Sequence, residues 1–399
     1  MTARTTGVVA LAAFLGWGGL VWLAIQLYTK TPPNAGFDLE LLLRAGRAAA
    51  DGRSPYDPAM LAGAAPVAER LFYSYPPVVA QLMALVAAVP SPVMFVAWTA
   101  LAVAGLGLVA RSLAARFDAS PEPNVVALVT VAFAPLLFPF AIGLLFGNLD
   151  VFFPLAFGLV LLGILPKASI GAAAGAGVAA SLAAISKLHP GSVGLWLLAR
   201  SRSDADVRRV LIAAIVALVA VLGLSLAVGG LQPWIDYATV VRAGSGADLV
   251  DPRNAGPAAQ IALFVGGAPA GAEALARTLQ IPVTFLALGA TVVAALRVRE
   301  PVESLAWAVV ASLIVLPVTW FHYPSALIPF GLAALLRSWG SEPHGRQVRW
   351  TLGAAAVVAA VGIAWLPLIY VAIGLVLASV RISGRVQPAA SVPALGRAP

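Results

Sequence analysis

Long apolar segments alternate with short polar loops along the whole chain. A straight helix needs about 20 apolar residues to cross a bilayer, so the pattern predicts about twelve membrane-spanning helices. The predicted spans cover residues 6–28, 92–111, 124–144, 150–165, 168–186, 190–200, 208–229, 274–297, 303–319, 323–337, 350–366 and 367–380. Several of them are short, which predicts tilted, broken or re-entrant helices at those places.

Composition narrows the class to an all-α, polytopic integral membrane protein. The chain is 61% hydrophobic and 11% charged, and its mean hydropathy is +0.93. The first apolar stretch is too long for the core of a signal peptide, which predicts a retained span. Cysteine is absent, so disulfides and thiolate metal sites are excluded. The net charge of +8 comes from basic residues in short loops, a pattern that orients spans and does not indicate nucleic-acid binding.

The distribution of lysine and arginine predicts which loops face outward. Both termini and the loops at 112–123, 166–167, 201–207, 298–302 and 338–349 fall on one side and carry most of the basic residues. The positive-inside rule makes that side internal and the polar loop at 29–75 external. This topology requires the stretch 76–90 to lie along the membrane surface as a second surface helix.

The external loop contains a predicted amphipathic helix from residue 38 to residue 51. Its apolar face is Leu39, Leu42, Leu43, Gly46 and Ala50, and its polar face is Glu40, Arg44, Arg47 and Asp51. Gly52 is placed to end the helix. Such a helix is expected to rest on the outer leaflet with Asp38 at its N-terminus, level with the headgroups. Asp38 is then either a functional acid or an N-cap worth about 1 kcal/mol.

Several short motifs occur in an order that resembles glycosyltransferase family 87. The acid-plus-helix element is followed by Gly-x-x-x-Tyr ending at Tyr56, and by Tyr-Pro-Pro starting at Tyr75. The later motifs are Gly147-Asn148 with Asp150, Lys187-Leu188-His189-Pro190, Asn254, and His322 in Trp-Phe-His-Tyr. Asn148 stands where the family has Gln. The resemblance covers residues 36–335.

The resemblance implies a GT-C-like membrane enzyme that takes mannose from polyprenyl-phosphate mannose. The implied acceptor is a glycolipid or lipid-linked molecule, and the implied location is the external face of a bacterial plasma membrane. The topology derived from charge places all the motif residues on that same face. The two lines of argument agree on sidedness.

Attack of a sugar hydroxyl on C1 of such a donor needs one base and positive charge near the phosphate. Asp38 is the candidate base for a single inverting displacement. Lys187 is the favoured cation, although a lysine at a span end can also be a simple interfacial anchor. His322 is assigned to donor phosphate or sugar, with an interfacial hydrogen-bonding role as the alternative. Arg253 and Asn254 are further donor candidates, against an ion pair of Arg253 with Asp248 or Asp251 and a turn at Asn254.

Five further residues are expected to contact the acceptor or support the site: Tyr56, Tyr75, Asn148, Asp150 and His189. The two tyrosines are the more structural of these, because prolines surround them. No Asp-x-Asp motif occurs on the predicted external side and no His-x-x-x-His motif is present, so no metal or other cofactor is expected. The partners are the lipid-linked donor, the acceptor and membrane lipids, while the oligomeric state stays open.

Other functions remain alternatives at this stage. A lipid or solute transporter would share the spans, although no internal repeat is visible. A non-catalytic assembly or export subunit would tolerate loss of Asp38. Within the enzyme class, a donor carrying arabinofuranose or glucose is the alternative to mannose. The sequence predicts one membrane domain over 1–383, with the external loop at 29–91, and a disordered tail over 384–399.

Overall fold

The chain is built from helices, as predicted. The computed structural model describes residues 3–30, 35–66, 71–117, 122–244, 246–267 and 269–385. Within these residues there is no strand, and the all-α class is confirmed. The disordered tail is predicted for residues 384–399, and its residues from 386 onward lie outside the described part of the chain.

The α-helices are, in chain order, α1 Ala3–Tyr28, α2 Phe37–Ala50, α3 Pro58–Leu61, α4 Pro77–Ala84, α5 Ser91–Arg116, α6 Pro123–Phe133, α7 Phe138–Phe146, α8 Phe153–Ile164, α9 Ile170–Ser186, α10 Ser192–Arg200, α11 Ala205–Gly229, α12 Gln232–Ala243, α13 Pro257–Gly266, α14 Pro269–Arg297, α15 Pro301–Ile314, α16 Ile328–Arg337, α17 His344–Val361 and α18 Leu368–Ser383. Short 3-10 helices at Ala134–Leu136, Leu149–Phe152, His189–Gly191 and Tyr323–Leu327 lead from one α-helix to the next.

Four helices are long and apolar enough to cross a membrane by themselves. They are Thr6–Tyr28, Ser91–Arg116, Ala205–Gly229 and Gly271–Arg297. The segments Pro123–Leu136 and Phe138–Phe146 would make a fifth, but they meet at an angle of 74°. The structure therefore has four or five span candidates among the described residues, and the count of about twelve stays a prediction.

The break between α6 and α7 has a cause in the sequence. Pro135 and Pro139 flank the bend, and proline has no N–H to continue the helical hydrogen-bond ladder. Other predicted spans are likewise short helices, such as Ser192–Arg200 in place of 190–200. Two helices, α12 and α13, lie between the predicted spans 208–229 and 274–297, where the sequence predicts no helix.

The larger of the two main hydrophobic cores is formed by α8, α9, α10, α15, α16, α18 and the second half of α5. Small residues allow these helices to approach closely. A Cβ atom at Gly177 of α9 would lie 2.5 Å from the Cβ atom of Ala213 in α11. Gly177 thus lies at a close contact between α9 and α11, whereas Gly175 of the same helix has no neighbour within 4 Å of a Cβ position.

The other core holds α2 and corrects its predicted environment. Leu39, Leu42 and Leu43 are at most 1% exposed, because they pack against protein. Gly46 lies so close to α4 that a Cβ atom there would be 2.6 Å from the carbonyl carbon of Met83. The expectation that this face rests on the outer leaflet is wrong. The spacing of apolar residues along a helix predicts that one face is buried, but it does not say whether lipid or protein covers that face.

Two further details of this region differ from the sequence reading. The N-cap of α2 is Gly36, so Asp38 lies within the first turn and is not the cap. The stretch 76–90 is helical only over Pro77–Ala84, and its residues Val78, Val79 and Met83 are buried. It is therefore packed against protein on one side. Glu40 and Arg44 form an ion pair at 3.5 Å, and Gly52 follows the helix in the left-handed conformation.

Candidate active site

Asp38 is brought to the end of α7 by two glycines in left-handed conformations. Gly36 has φ +68° and donates its N–H to the carbonyl of Leu145 at 2.8 Å. Gly147 also has φ +68°, and a Cβ atom there would lie 2.6 Å from the Cβ atom of Leu39. Only glycine combines this conformation with such a close approach. The start of α2 and the turn after α7 are thereby held in contact.

The residue after Gly147 binds the acid directly. Asn148 Nδ2 donates a hydrogen bond of 2.6 Å to Asp38 Oδ2. The Asn148 Oδ1 atom accepts from the backbone N–H of Asp150 at 3.0 Å, which fixes the orientation of the amide. The indole of Trp98 adds a 3.4 Å hydrogen bond to the carbonyl of Asn148. Asp38 is therefore a partly buried carboxylate with one oxygen held by a rigid donor.

Burial raises the pKa of the Asp38 carboxyl above its ordinary value of 3.8. The hydrogen bond from Asn148 and the nearby charges of His322 and Lys187 oppose that rise. A carboxylate with a raised pKa is a better proton acceptor when it is ionised.

A second carboxylate, Asp150, contacts both Lys187 and His322. Its side chain is 1% exposed, and Lys187 Nζ lies 2.8 Å from Oδ1 and 2.9 Å from Oδ2. His322 Nε2 lies 3.1 Å from Asp150 Oδ2, and the His322 side chain is 5% exposed. Lys187 Nζ also lies 3.4 Å from Asn148 Oδ1, so the amide connects this pair to Asp38. We call Asp38, Asn148, Asp150, Lys187 and His322 the acid–cation cluster.

Lys187 is held inside the protein. It is the residue that ends α9, and only 10% of its side chain is exposed. Its ammonium lies 4.5 Å from the ring centroid of Tyr323 and 5.7 Å from that of Tyr75. A cation between two aromatic faces and a carboxylate is held in place electrostatically from several sides.

His189 and the tyrosines surround the cluster in different ways. His189 is fully buried and stacks on Tyr323, with ring centroids 5.0 Å apart, and neither of its nitrogens has a hydrogen-bond partner among the described residues. Tyr56 is 3% exposed and donates to the carbonyl of Tyr75 at 3.0 Å. Tyr56 thus supports the backbone, whereas Tyr75 turns its ring toward Lys187.

Arg253 and Asn254 have structural partners away from the cluster. Arg253 forms a 2.6 Å ion pair with Asp251, as the alternative interpretation of this loop held, and lies over the ring of Trp320. Asn254 is fully buried and donates to the carbonyls of Leu249 and Pro317. Its Oδ1 accepts from the backbone N–H groups of Gly256 and Thr319.

These hydrogen bonds use the whole Asn254 amide, so the side chain ties two loops together. The loop that ends at Asn254 is thereby joined to the segment that leads to His322. A direct contact of Asn254 with a donor would have to break this network, which makes a supporting role the better account of the residue.

Two residues of the site were not predicted. Tyr323 contacts both Lys187 and His189, and Ser325 Oγ donates to the backbone carbonyl of Asp150 at 3.4 Å. Both belong to the 3-10 helix that starts directly after His322. The sequence signal for both residues was that they closely follow His322. The sequence has no clear pattern that predicts a 3-10 helix here in place of a regular membrane span.

The described residues contain no group of three or more His, Cys, Asp or Glu side chains placed to hold a metal ion. The two oxygens of Asp150 already face Lys187 and His322. What the cluster offers chemically is one carboxylate able to accept a proton, next to two groups able to bind an anion.

The structure thus defines a helical protein with four or five candidate membrane spans among its described residues and with a carboxylate next to groups that can bind an anion. The family comparison gives the class a name. The model of glycosyltransferase family 87 matches residues 73–319, and the chain therefore belongs to glycosyltransferase family 87. No curated protein sequence matches the chain.

The matched range includes Tyr75, Asn148, Asp150, Lys187 and His189. It does not reach Asp38 on one side or His322 on the other. The association of these two residues with the matched part therefore rests on the contacts of the structure: Asp38 with Asn148, and His322 with Asp150.

Proposed function

We propose that this membrane glycosyltransferase moves a mannosyl residue from polyprenyl-phosphate mannose to a glycolipid or lipid-linked acceptor. The family supplies the sugar transfer. The observation that supports the rest is the acid–cation cluster, in which a carboxylate with a raised pKa stands beside a buried lysine and a histidine.

In the proposed reaction Asp38 takes the proton of the acceptor hydroxyl as its oxygen attacks C1 of the sugar. The new bond joins that oxygen to C1, and the bond from C1 to the phosphate oxygen breaks with its electron pair leaving on the phosphate. The configuration at C1 inverts, so a β-linked donor gives an α-mannoside. The leaving group is a phosphate monoester, and no acid is needed to protonate it, in contrast to the two carboxyls used in glycoside hydrolysis.

Lys187 and His322 are proposed to bind the donor phosphate, whose negative charge grows as the bond to C1 breaks. Asp150 holds both groups before the substrate arrives, so their positions need not be reorganised during the reaction. Asn148 is proposed to orient the free oxygen of Asp38 toward the acceptor. No metal ion or other cofactor enters this scheme.

The site is proposed to face the outside of a bacterial plasma membrane, within a polytopic GT-C-like fold of about twelve spans. The distribution of lysine and arginine supports that sidedness. A donor carrying arabinofuranose or glucose would use the same groups. A transporter is disfavoured because the family is one of glycosyltransferases.

The test is sugar transfer by purified protein from polyprenyl-phosphate mannose to a lipid acceptor extract, with and without chelator. Wild type and Asp38→Asn are compared with Asp51→Asn, which removes an exposed carboxylate paired with Arg53 near the end of the same helix. We expect transfer by wild type and Asp51→Asn in chelator, and loss in Asp38→Asn. Full activity in Asp38→Asn would assign the base elsewhere, and no transfer from any polyprenyl-phosphate sugar would reject the proposal.

A further inference from the structure

An apolar groove of about 560 Å³ runs beside the acid–cation cluster. Its walls come from α6, the bend before α7, α16, α17 and α18. Almost all of its lining is hydrocarbon, including Phe133, Leu332, Leu352 and Ile373. A groove of this kind takes an apolar ligand, because a polar one would lose its hydrogen bonds to water there.

One end of the groove comes close to the cluster, although none of the five cluster residues lines it. Pro324 and Ser325 line it, and they follow His322 and Tyr323 directly in the chain. Ser325 also donates its hydroxyl to the carbonyl of Asp150. At this end, therefore, an apolar ligand would have its terminus next to Lys187 and His322, the groups that suit an anion.

The other end offers no comparable site for an anionic headgroup. It is lined by Trp339 and by Arg349, whose guanidinium is paired with Glu342 at 2.9 Å. From Pro324 to Trp339 the groove follows about 20 Å of helix, given about 1.5 Å of rise per residue. That is roughly two thirds of the hydrocarbon thickness of a bilayer. The charge asymmetry orients an amphiphile with its anionic group toward the cluster.

We propose that this groove holds the isoprenoid tail of the sugar donor, an inference that rests on the proposed function. Because the groove has a fixed length, the first isoprene units would lie in it and later units would lie in the lipid. The benefit of a longer tail should then rise for a handful of units and level off. A tail that stayed entirely in lipid would give no such limit from the protein.

The helix α17 provides a position at which a larger side chain can be introduced along the groove. Gly353 lines the groove, and a Cβ atom there meets no atom within 4 Å. Gly289 in α14 has the same open surroundings and does not line the groove. Gly353→Leu and Gly289→Leu therefore make the same chemical change in a helix, once inside the groove and once away from it. Ala356→Leu is a second groove-filling variant.

The measurement is kcat/KM for mannosyl-phosphate donors with tails of two and of ten isoprene units, expressed as the ratio of long to short. We expect wild type and Gly289→Leu to share one ratio. In Gly353→Leu and Ala356→Leu it should fall about tenfold, the effect of displacing roughly two methylene groups from an apolar contact. An unchanged ratio in both groove variants, or the same fall in Gly289→Leu, would overturn the proposal.

A binding measurement separates this inference from the proposed function. A photoreactive polyprenyl phosphate is crosslinked to wild-type protein, and the labelled peptides are identified by mass spectrometry. Labelling of α16 and α17 supports the groove even if no sugar is transferred, in which case only the proposed function fails. Labelling elsewhere, or labelling that excess bilayer phospholipid abolishes, overturns the groove assignment while leaving the transfer reaction intact.

Discussion

Asp150 and Lys187 form an ion pair that is almost completely removed from solvent, with Nζ 2.8 Å from Oδ1. Two opposite charges are costly to bury, and their attraction repays this cost only when the geometry is good and other polar atoms are satisfied. His322, Asn148 and the ring of Tyr323 supply those additional contacts. The pair is therefore better suited to positioning groups than to stabilising the fold.

Removing one member of this pair should be more harmful than removing both. Asp150→Asn leaves the Lys187 ammonium buried without its counter-charge, and the free energy of unfolding should fall by about 3–5 kcal/mol. The double variant Asp150→Leu with Lys187→Met should recover most of that loss and still fail to transfer sugar. Thermal unfolding of the purified proteins, followed alongside transfer, checks both parts. Equal stability of Asp150→Asn and wild type would contradict this account.

Asp38→Asn should lower activity while leaving the protein as stable as wild type, or more stable, at neutral pH. Loss of a general base costs about 10²–10⁴ in rate. The pKa of Asp38 is raised in the folded state, so the folded protein binds its proton more tightly than the unfolded chain does. Its charge therefore lowers the free energy of unfolding at neutral pH, and that cost disappears as the pH falls through the folded pKa. A clearly lower midpoint of thermal unfolding would show a structural role instead.

The same raised pKa sets the pH dependence of the reaction. Asp38 must be ionised to accept a proton, so kcat/KM should fall as the pH drops through the pKa of Asp38. That fall should occur above pH 3.8, the ordinary pKa of this carboxyl. Asn148→Asp replaces the donor of the 2.6 Å hydrogen bond by a second carboxyl and should move the fall to higher pH. Asn124→Asp, far from the cluster and paired with Arg111, is the control that should leave the profile in place.

Gly147→Ala should separate Asp38 from its partners. A left-handed conformation alone costs an alanine about 1–2 kcal/mol, and here the new methyl group would also overlap Leu39. Gly52→Ala is a matched control, because Gly52 has φ +69° and no atom within 4 Å of a Cβ. Activity should fall in Gly147→Ala well below that of Gly52→Ala. Equal effects of the two substitutions would mean that the contact with Leu39 is unimportant.

Much of the site could be predicted from the order of short motifs. Asp38, Asn148, Asp150, Lys187 and His322 are distant in sequence and meet in one cluster, as their shared motif order implied. The pairing of Asp150 with both cationic groups could not be predicted. A carboxylate and a lysine 37 positions apart carry no pattern that says which atoms touch, since that depends on how α7, α8 and α9 pack.

The all-helical class could be predicted from the sequence. What packs against each helix, and how long each helix is, could not. Four of the five residues predicted for the apolar face of α2 are buried and Ala50 is exposed. Periodicity looks the same whether a bilayer or another helix covers such a face. Gly46 was the available sign of a close helix contact, and a single glycine is too common to decide the matter. The many prolines near helix starts explain the rest, because they divide apolar runs that look continuous into shorter helices.

The burial of α2 has a consequence for how this protein responds to its surroundings. A helix floating on a leaflet would rise and fall with lipid thickness, and the carboxylate on it would change depth with every change of membrane. Because α2 is fastened to α4 and to the turn after α7, Asp38 keeps its distance to Asn148 whatever the lipid. Micelles, nanodiscs and bilayers of different thickness should therefore present a donor to the same arrangement of groups.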